Sequence, residues 1–341
     1  MISLETENDS VGLAKNQRYK HTRLWAWARQ SKIGESARAC RRCRRELWAW
    51  ANCKGIAAIS VERLAKSIEV LGAHASNTAE ETETPIFLLS TGWRAGSTLL
   101  QRILVTDPRL LLWGEPLAEM TIVSRIAEML SNSISSRNLQ LWRDQQDANS
   151  LTLSTSWVAN LYPPSGDFRS GLQSLFNQWL GEPAYQRGFG RWGLKEVRIG
   201  AAEAVLLRWL YPNARFLVIS RHPYDSYRSL ADSGWDQVFY RYPDVSVDSA
   251  ASFAKHWNRL ALSWRELPAG FPFVHIKYED LIGGKVDFRA LESWLGLEIK
   301  ENVALSAEVG GTARRTKLSW CERTIIRHEA AEGMQAIGYS E

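Results

Sequence analysis

Only four cysteines occur in 341 residues, too few for a disulfide framework in a chain this long. Cys40-Arg-Arg-Cys43 has metal-ligand or redox spacing, with Cys53 nearby, but no second C-x-x-C exists and a zinc set would need a fourth ligand such as His74. Free thiols in a reducing cytoplasm are the expectation. No apolar run reaches the 18 residues of a membrane span and no secretory leader is seen, which predicts a cytoplasmic protein. The six histidines show no metal spacing, and the strand-like runs are not followed by the acidic ligands that magnesium takes in a kinase, so no metal is expected.

Positive charge is also scarce where it would be needed for bulk anion binding. The net charge is +5, yet residues 15–54 alone hold twelve Lys or Arg against two acids, which leaves the rest at −5. Any anion site in the main body must therefore rest on a few placed cations, and nucleic acid is not an expected partner. Hydrophobic residues make up 45%, enough for a real core at this length.

Three divisions follow from composition. Residues 1–74 form a basic, Trp-rich helical extension with an internal echo, Arg23-Leu-Trp-Ala-Trp-Ala-Arg29 and Glu46-Leu-Trp-Ala-Trp-Ala-Asn52. A packed helical hairpin is favoured there over a disordered arm, and residues 15–54 suit weak contact with a membrane surface or a protein. Val61, Leu64, Ile68 and Leu71 repeat at helical spacing, with Ser60 as cap and Gly72 as stop. Residues 75–84 are polar and acidic and read as a linker; residues 85–341 hold the remaining motifs.

The first motif is a short buried strand, Ile86 to Leu89, then a glycine-bounded turn, Gly92-Trp-Arg94-Ala95-Gly96, then Ser97-Thr98 opening a helix. Glycines permit the turn, and helix N-terminal amides with Arg94 beside them suit an anion. The spacing differs from the nucleotide P-loop, since three residues separate the glycines and no Lys precedes Ser97. A second buried run, Phe216 to Ile219, ends in Ser220-Arg221-His222-Pro223, with Ser229 two helical turns on. Arginine suits a terminal phosphate because its planar fork bonds two oxygens. Taken alone, Arg221 reads first as the partner of Asp225 across the first helical turn.

Together these loops resemble the 5′-phosphosulfate loop and the 3′-phosphate site of sulfotransferases that use 3′-phosphoadenosine 5′-phosphosulfate (PAPS). The closest likeness in motif is to protein-tyrosine sulfotransferases and their bacterial relatives. The resemblance implies an α/β fold, a P-loop-like three-layer sandwich around a central parallel sheet of four to five strands, with residues 85–341 as catalytic domain. It assigns Arg94, Ala95, Gly96, Ser97, Thr98, Arg221 and Ser229 to the donor. Glu115, in Trp113-Gly114-Glu115-Pro116, falls where the tyrosine enzymes carry a Gly-Glu base; a helix-start carboxylate is the plain alternative. Lys195 in Trp192-Gly-Leu-Lys195-Glu196 resembles a lysine that faces the sulfuryl group, although Glu-Val replaces Asp-Pro, and a surface Lys195–Glu196 pair competes with that reading. Tyr278, in Tyr278-Glu-Asp-Leu281, matches a strand end near the adenine, and Arg314, Arg315 or Lys317 after Gly310-Gly311 match a closing loop over the nucleotide.

The implied activity is in-line transfer of a sulfuryl group from PAPS to an acceptor hydroxyl or amide nitrogen, with Glu115 as base and adenosine 3′,5′-bisphosphate as product. A small molecule, a carbohydrate or a peptide fits as acceptor, and the absence of a membrane anchor points to a bacterial enzyme. By elimination the acceptor pocket falls mainly in residues 120–190 and 233–242, where Trp142, Trp157, Tyr162 and Trp179 lie. Two alternatives differ in class: an ATP-dependent kinase of the P-loop type, and a non-catalytic binding protein acting through its basic arm.

Overall fold

The computed structural model describes residues 32–53, 58–72, 83–116, 121–133, 165–232, 241–242, 245–300 and 317–340. Strands β1 (Ile86–Ser90), β2 (Leu110–Trp113), β3 (Arg191–Lys195) and β4 (Arg215–Ser220) are joined by β7 (Phe273–Lys277) in one sheet; β5 (Arg241–Tyr242) and β6 (Val245–Ser246) pair antiparallel elsewhere. The five-stranded sheet has the order β2-β3-β1-β4-β7, and every neighbouring pair in it is parallel.

Parallel strands must be covered on both faces, and β1 shows how this sequence does it. Successive side chains alternate between two cores. Phe87 and Leu89 join Trp192 of β3, Phe216 and Val218 of β4, and three helices, α2 (Val61–Gly72), α4 (Ile122–Ser133) and α7 (Ala201–Leu210). Ile86 and Leu88 point the other way, to Leu110 and Leu112 of β2, Leu217 and Ile219 of β4, α3 (Ser97–Leu104) and α11 (Phe288–Leu295). The result is helix, sheet, helix: the expected three layers, at the upper strand number. Helix α2 begins where the sequence placed it, with Ser60 Oγ accepting the Arg63 amide at 3.2 Å.

A third cluster gathers α8 (Pro223–Asp232), α9 (Ala250–Ser263) and α12 (Trp320–Ala336) around Tyr227, Phe253, Trp257 and Ile325. The helix α1 (Lys32–Asn52) docks on it. Its buried Glu46 accepts the Ala250 amide at 2.9 Å, Arg42 meets the fully buried Glu322 at 2.6 Å, and Trp50 donates to Glu329 at 2.6 Å. Cys43 is joined to Cys321 in a disulfide, with Cα atoms 5.6 Å apart, whereas Cys40 and Cys53 keep their thiols. The expectation of four free thiols is thus corrected for two: docking of α1 along α12 brings together cysteines 278 positions apart. The second copy of the Trp echo closes α1; the first lies outside the described residues. No helix among the described residues is long and apolar enough to cross a membrane.

Candidate active site

Because all five strands run the same way, their carboxyl ends share one edge of the sheet, where ligands of open α/β folds bind. Read across that edge, the strands deliver Glu115 after β2, Lys195 at the end of β3, the Gly92–Gly96 turn after β1, Arg221 after β4 and Tyr278 after β7.

The turn after β1 is built by its own residues. Ser90 Oγ donates to the Gly92 carbonyl at 2.8 Å, and the Thr91 amide reaches Ile219 of β4 at 3.1 Å. Gly92 and Gly96 sit at φ +117° and +91°, where a side chain would be strained. Arg94, with a side chain, is also held at φ +62°, an uncommon conformation of the sort that gathers at functional loops. Gly96 starts α3 and no side chain caps that start, so the helix presents its amide end to the turn. Ala95 and Ser97 are buried and Thr98 is exposed.

Four predicted donor residues converge here. Arg94 Nε donates to Ser229 Oγ at 3.0 Å, and Arg221 Nη1 donates to the Arg94 carbonyl at 3.3 Å. The Arg221 guanidinium lies 4.3 Å from the centre of the Tyr278 ring, and a Cβ on Gly96 would overlap that same ring. Arg221 does not take Asp225 as partner; Arg228 does, at 2.6 Å. Its buried Nε has no partner among the described residues, a donor left over on the loop side of the sheet. Lys317 is exposed ahead of α12 and makes no hydrogen bond or ion pair among the described residues, while Arg314 and Arg315 lie outside them.

Beside the turn, Glu115 is gripped by two cations. Lys195 Nζ lies 2.6 Å from Oε1 and Arg198 Nη1 lies 2.8 Å from Oε2. The pairing of Lys195 with its sequence neighbour Glu196 is therefore not formed. Glu196 turns inward instead, meeting Arg198 at 2.9 Å and accepting the amides of Val197 and Arg198 at 2.8 and 3.2 Å. Burial works to raise the pKa of Glu115, but Lys195 and Arg198 outweigh it and hold the carboxyl below its ordinary value. For Glu196 burial dominates and the pKa is raised.

Trp93 connects the two groups. It precedes Arg94 in the turn, and Arg198 sits over its ring at 5.5 Å, within cation–π range. On Trp93 also stacks His256 of α9, with centroids 4.7 Å apart. That imidazole is fully enclosed; burial first, then Arg259 and Arg198, hold its pKa well below the usual value, so it packs as a neutral ring. Arg198, Trp93 and His256 were not singled out from sequence. The one signal for Arg198 was a second cation close behind Lys195-Glu196 in a stretch, 192–210, that is otherwise mostly apolar. Of the acceptor region, residues 134–164 and 233–240, with Trp142, Trp157 and Tyr162, lie outside the described residues; Trp179 packs against the sheet core.

The model of the sulfotransferase family matches residues 85–301. No match is found among curated proteins. Among solved structures, the chain is similar to the sulfotransferase domain from the curacin biosynthetic pathway, at 14% identity over 76% of this chain and 99% of that one, TM-score 0.39. It is similar to the sulfotransferase STF9 from Mycobacterium avium at 16% identity over 82% of each chain, TM-score 0.39. Mouse sulfotransferase SULT7A1 complexed with PAP is similar at 13% identity, over 84% of this chain and 85% of that one, TM-score 0.33.

Proposed function

From the premise that this chain belongs to the sulfotransferase family, we propose that it transfers a sulfuryl group from PAPS to an acceptor hydroxyl or amide nitrogen, with Glu115 as general base. The observation that carries this reading is the 2.6 Å contact between Glu115 and Lys195 at the strand ends beside the Gly92–Gly96 turn. It sets a carboxylate and a cation together where an anionic donor would be held.

In the proposed reaction the acceptor oxygen or nitrogen attacks sulfur in line with the leaving phosphate oxygen. The new bond to sulfur forms as the S–O bond to the phosphate breaks; the acceptor proton passes to Glu115 and the electron pair leaves with adenosine 3′,5′-bisphosphate. As in phosphoryl transfer, the protein's part is placement and charge stabilisation. Arg94 and the amide end of α3 would hold the 5′-phosphosulfate, Arg221 and Ser229 the 3′-phosphate, and Tyr278 the adenine side. Lys195 would meet charge developing on the sulfuryl and bridging oxygens. No metal enters this scheme. The cytoplasmic location and the acceptor classes read from sequence remain part of the proposal.

Calorimetric titration with adenosine 3′,5′-bisphosphate, run beside ATP with magnesium, tests the donor assignment. Bisphosphate binding that falls at least tenfold in Arg221→Ala is the expected result. Binding of ATP but not of the bisphosphate would overturn it in favour of a kinase.

A further inference from the structure

Glu115 has a cation on each oxygen, and the two are not equivalent. Lys195 reaches it with one ammonium on a flexible stem from the end of β3. Both side chains are buried, 8% and 3% exposed, but Arg198 is held by more: Glu196 also meets it at 2.9 Å, and it sits over the Trp93 ring at 5.5 Å. Glu196 is anchored in turn by two backbone amides. A planar guanidinium can bond two carboxylates at once, which an ammonium does less well, and a buried guanidinium that let go of Glu115 would give up a charged partner without water to replace it.

Of the two cations on Glu115, an arriving phosphosulfate can therefore recruit Lys195 but not Arg198. We propose that Lys195 is shared between Glu115 and the donor, and that Arg198 is a positioning residue that keeps Glu115 in place when Lys195 turns to the sulfuryl group. Donor binding thereby removes one of the two charges that restrain the base, so Glu115 gains basicity once there is a sulfuryl group to transfer. The inference rests on Glu115 being the base. Among the described residues, the charged groups around this carboxylate are Lys195 from β3 and Arg198 and Glu196 from the segment before α7, with Arg259 and neutral His256 of α9 next to Arg198.

The test uses Arg198→Gln and Arg198→Lys in the full chain with three readouts. The first is the pH profile of kcat/KM for the acceptor at saturating PAPS. The second is affinity for adenosine 3′,5′-bisphosphate, which reports an intact donor site. The third is the titration of Glu115 by carbon NMR of carboxyl-labelled glutamate, with no ligand and with PAPS alone. In wild type, PAPS raises the Glu115 pKa. In Arg198→Gln, kcat falls at least tenfold and the acid limb moves to higher pH by about one unit, while bisphosphate affinity stays within about threefold. Arg198→Lys restores the position of the acid limb but not the rate. A folded Arg198→Gln with unchanged kcat and acid limb would overturn the proposal, as would a Glu115 pKa indifferent to PAPS in wild type. If Arg198→Gln does not fold, Arg198→Lys decides by its rate alone: a wild-type kcat overturns the positioning role. Absence of any sulfuryl transfer from PAPS by wild type would instead sink the function, whereas the ligand-free titration of Glu115 in the variants still tests the coupling to Arg198.

Discussion

The side chains that sequence could nominate for the site are those whose chemistry sits in a local pattern. Glu115, Lys195, Arg94, Arg221 and Tyr278 each end or soon follow a strand-like run, which can be read from five or six residues, and Ser229 follows Arg221 by two helical turns. What those side chains touch could not be read that way. Adjacency in sequence offers Lys195 its neighbour Glu196, and it is the position of β2 beside β3 that hands it Glu115 instead. Arg198 went unread because its purpose is set by two partners and a ring from three different segments. The assignment of Glu115 has a direct consequence at this scale. Glu115→Gln keeps the shape and removes the basic oxygen, so kcat should fall by about 100- to 10,000-fold, while affinity for adenosine 3′,5′-bisphosphate changes little. Steady-state kinetics with calorimetry separates the two, and an equal loss in both would make Glu115 a donor ligand rather than a base.

Among the elements, the buried strands and α2 were legible because uninterrupted apolar runs and helical spacing survive packing unchanged. Less visible are the polar ties that hold connections to neighbouring elements. Asp107, in the turn between α3 and β2, is one of them. Its carboxylate is fully buried and accepts the Arg109 guanidinium at 2.6 Å, the Arg109 amide at 2.8 Å and the Glu298 amide at 2.8 Å, pinning the segment after α11 to the turn before β2. The Arg109 bond, aided by the two amides and opposed by burial, brings its pKa down to about 2. A carboxyl whose folded pKa is depressed stabilises the fold above its unfolded value, near 3.9, and that contribution is lost as pH falls through the folded value. Because Arg109 is half exposed, the stake is on the order of 1–2 kcal/mol. Asp107→Asn should therefore be less stable than wild type at pH 6, and the gap should narrow between pH 4 and pH 2. Urea denaturation across that range measures it; a gap independent of pH would mean that the carboxylate charge is not what the turn uses.

At the scale of the whole molecule, the attachment of α1 was beyond the sequence, because it depends on contacts between ends of the chain. Four cysteines with one C-x-x-C gave no reason to join Cys43 to Cys321, and the basic run hid a buried Glu46 and an arginine committed to Glu322. A crosslink across 278 positions removes much of the freedom of the unfolded chain. The chain-entropy model puts its worth at up to about 5 kcal/mol, less whatever the native state gives back. Reduction should then lower the melting temperature by on the order of 5–10 °C in a chain of this size, and Cys43→Ser should melt near the reduced wild type and be insensitive to reductant. Alkylation followed by mass spectrometry supplies the count that must agree. Two modifiable thiols, Cys40 and Cys53, are expected under denaturing, non-reducing conditions, and four after reduction. Such a bond is rare in a reducing cytoplasm, so the same count, made on protein trapped with alkylating agent in living cells, also tests the cytoplasmic expectation: two thiols there would argue against a reducing compartment. Four thiols in protein purified without reductant would show that α1 stays docked without the bond, through contacts such as Arg42 and Trp50 to α12 and Glu46 to α9.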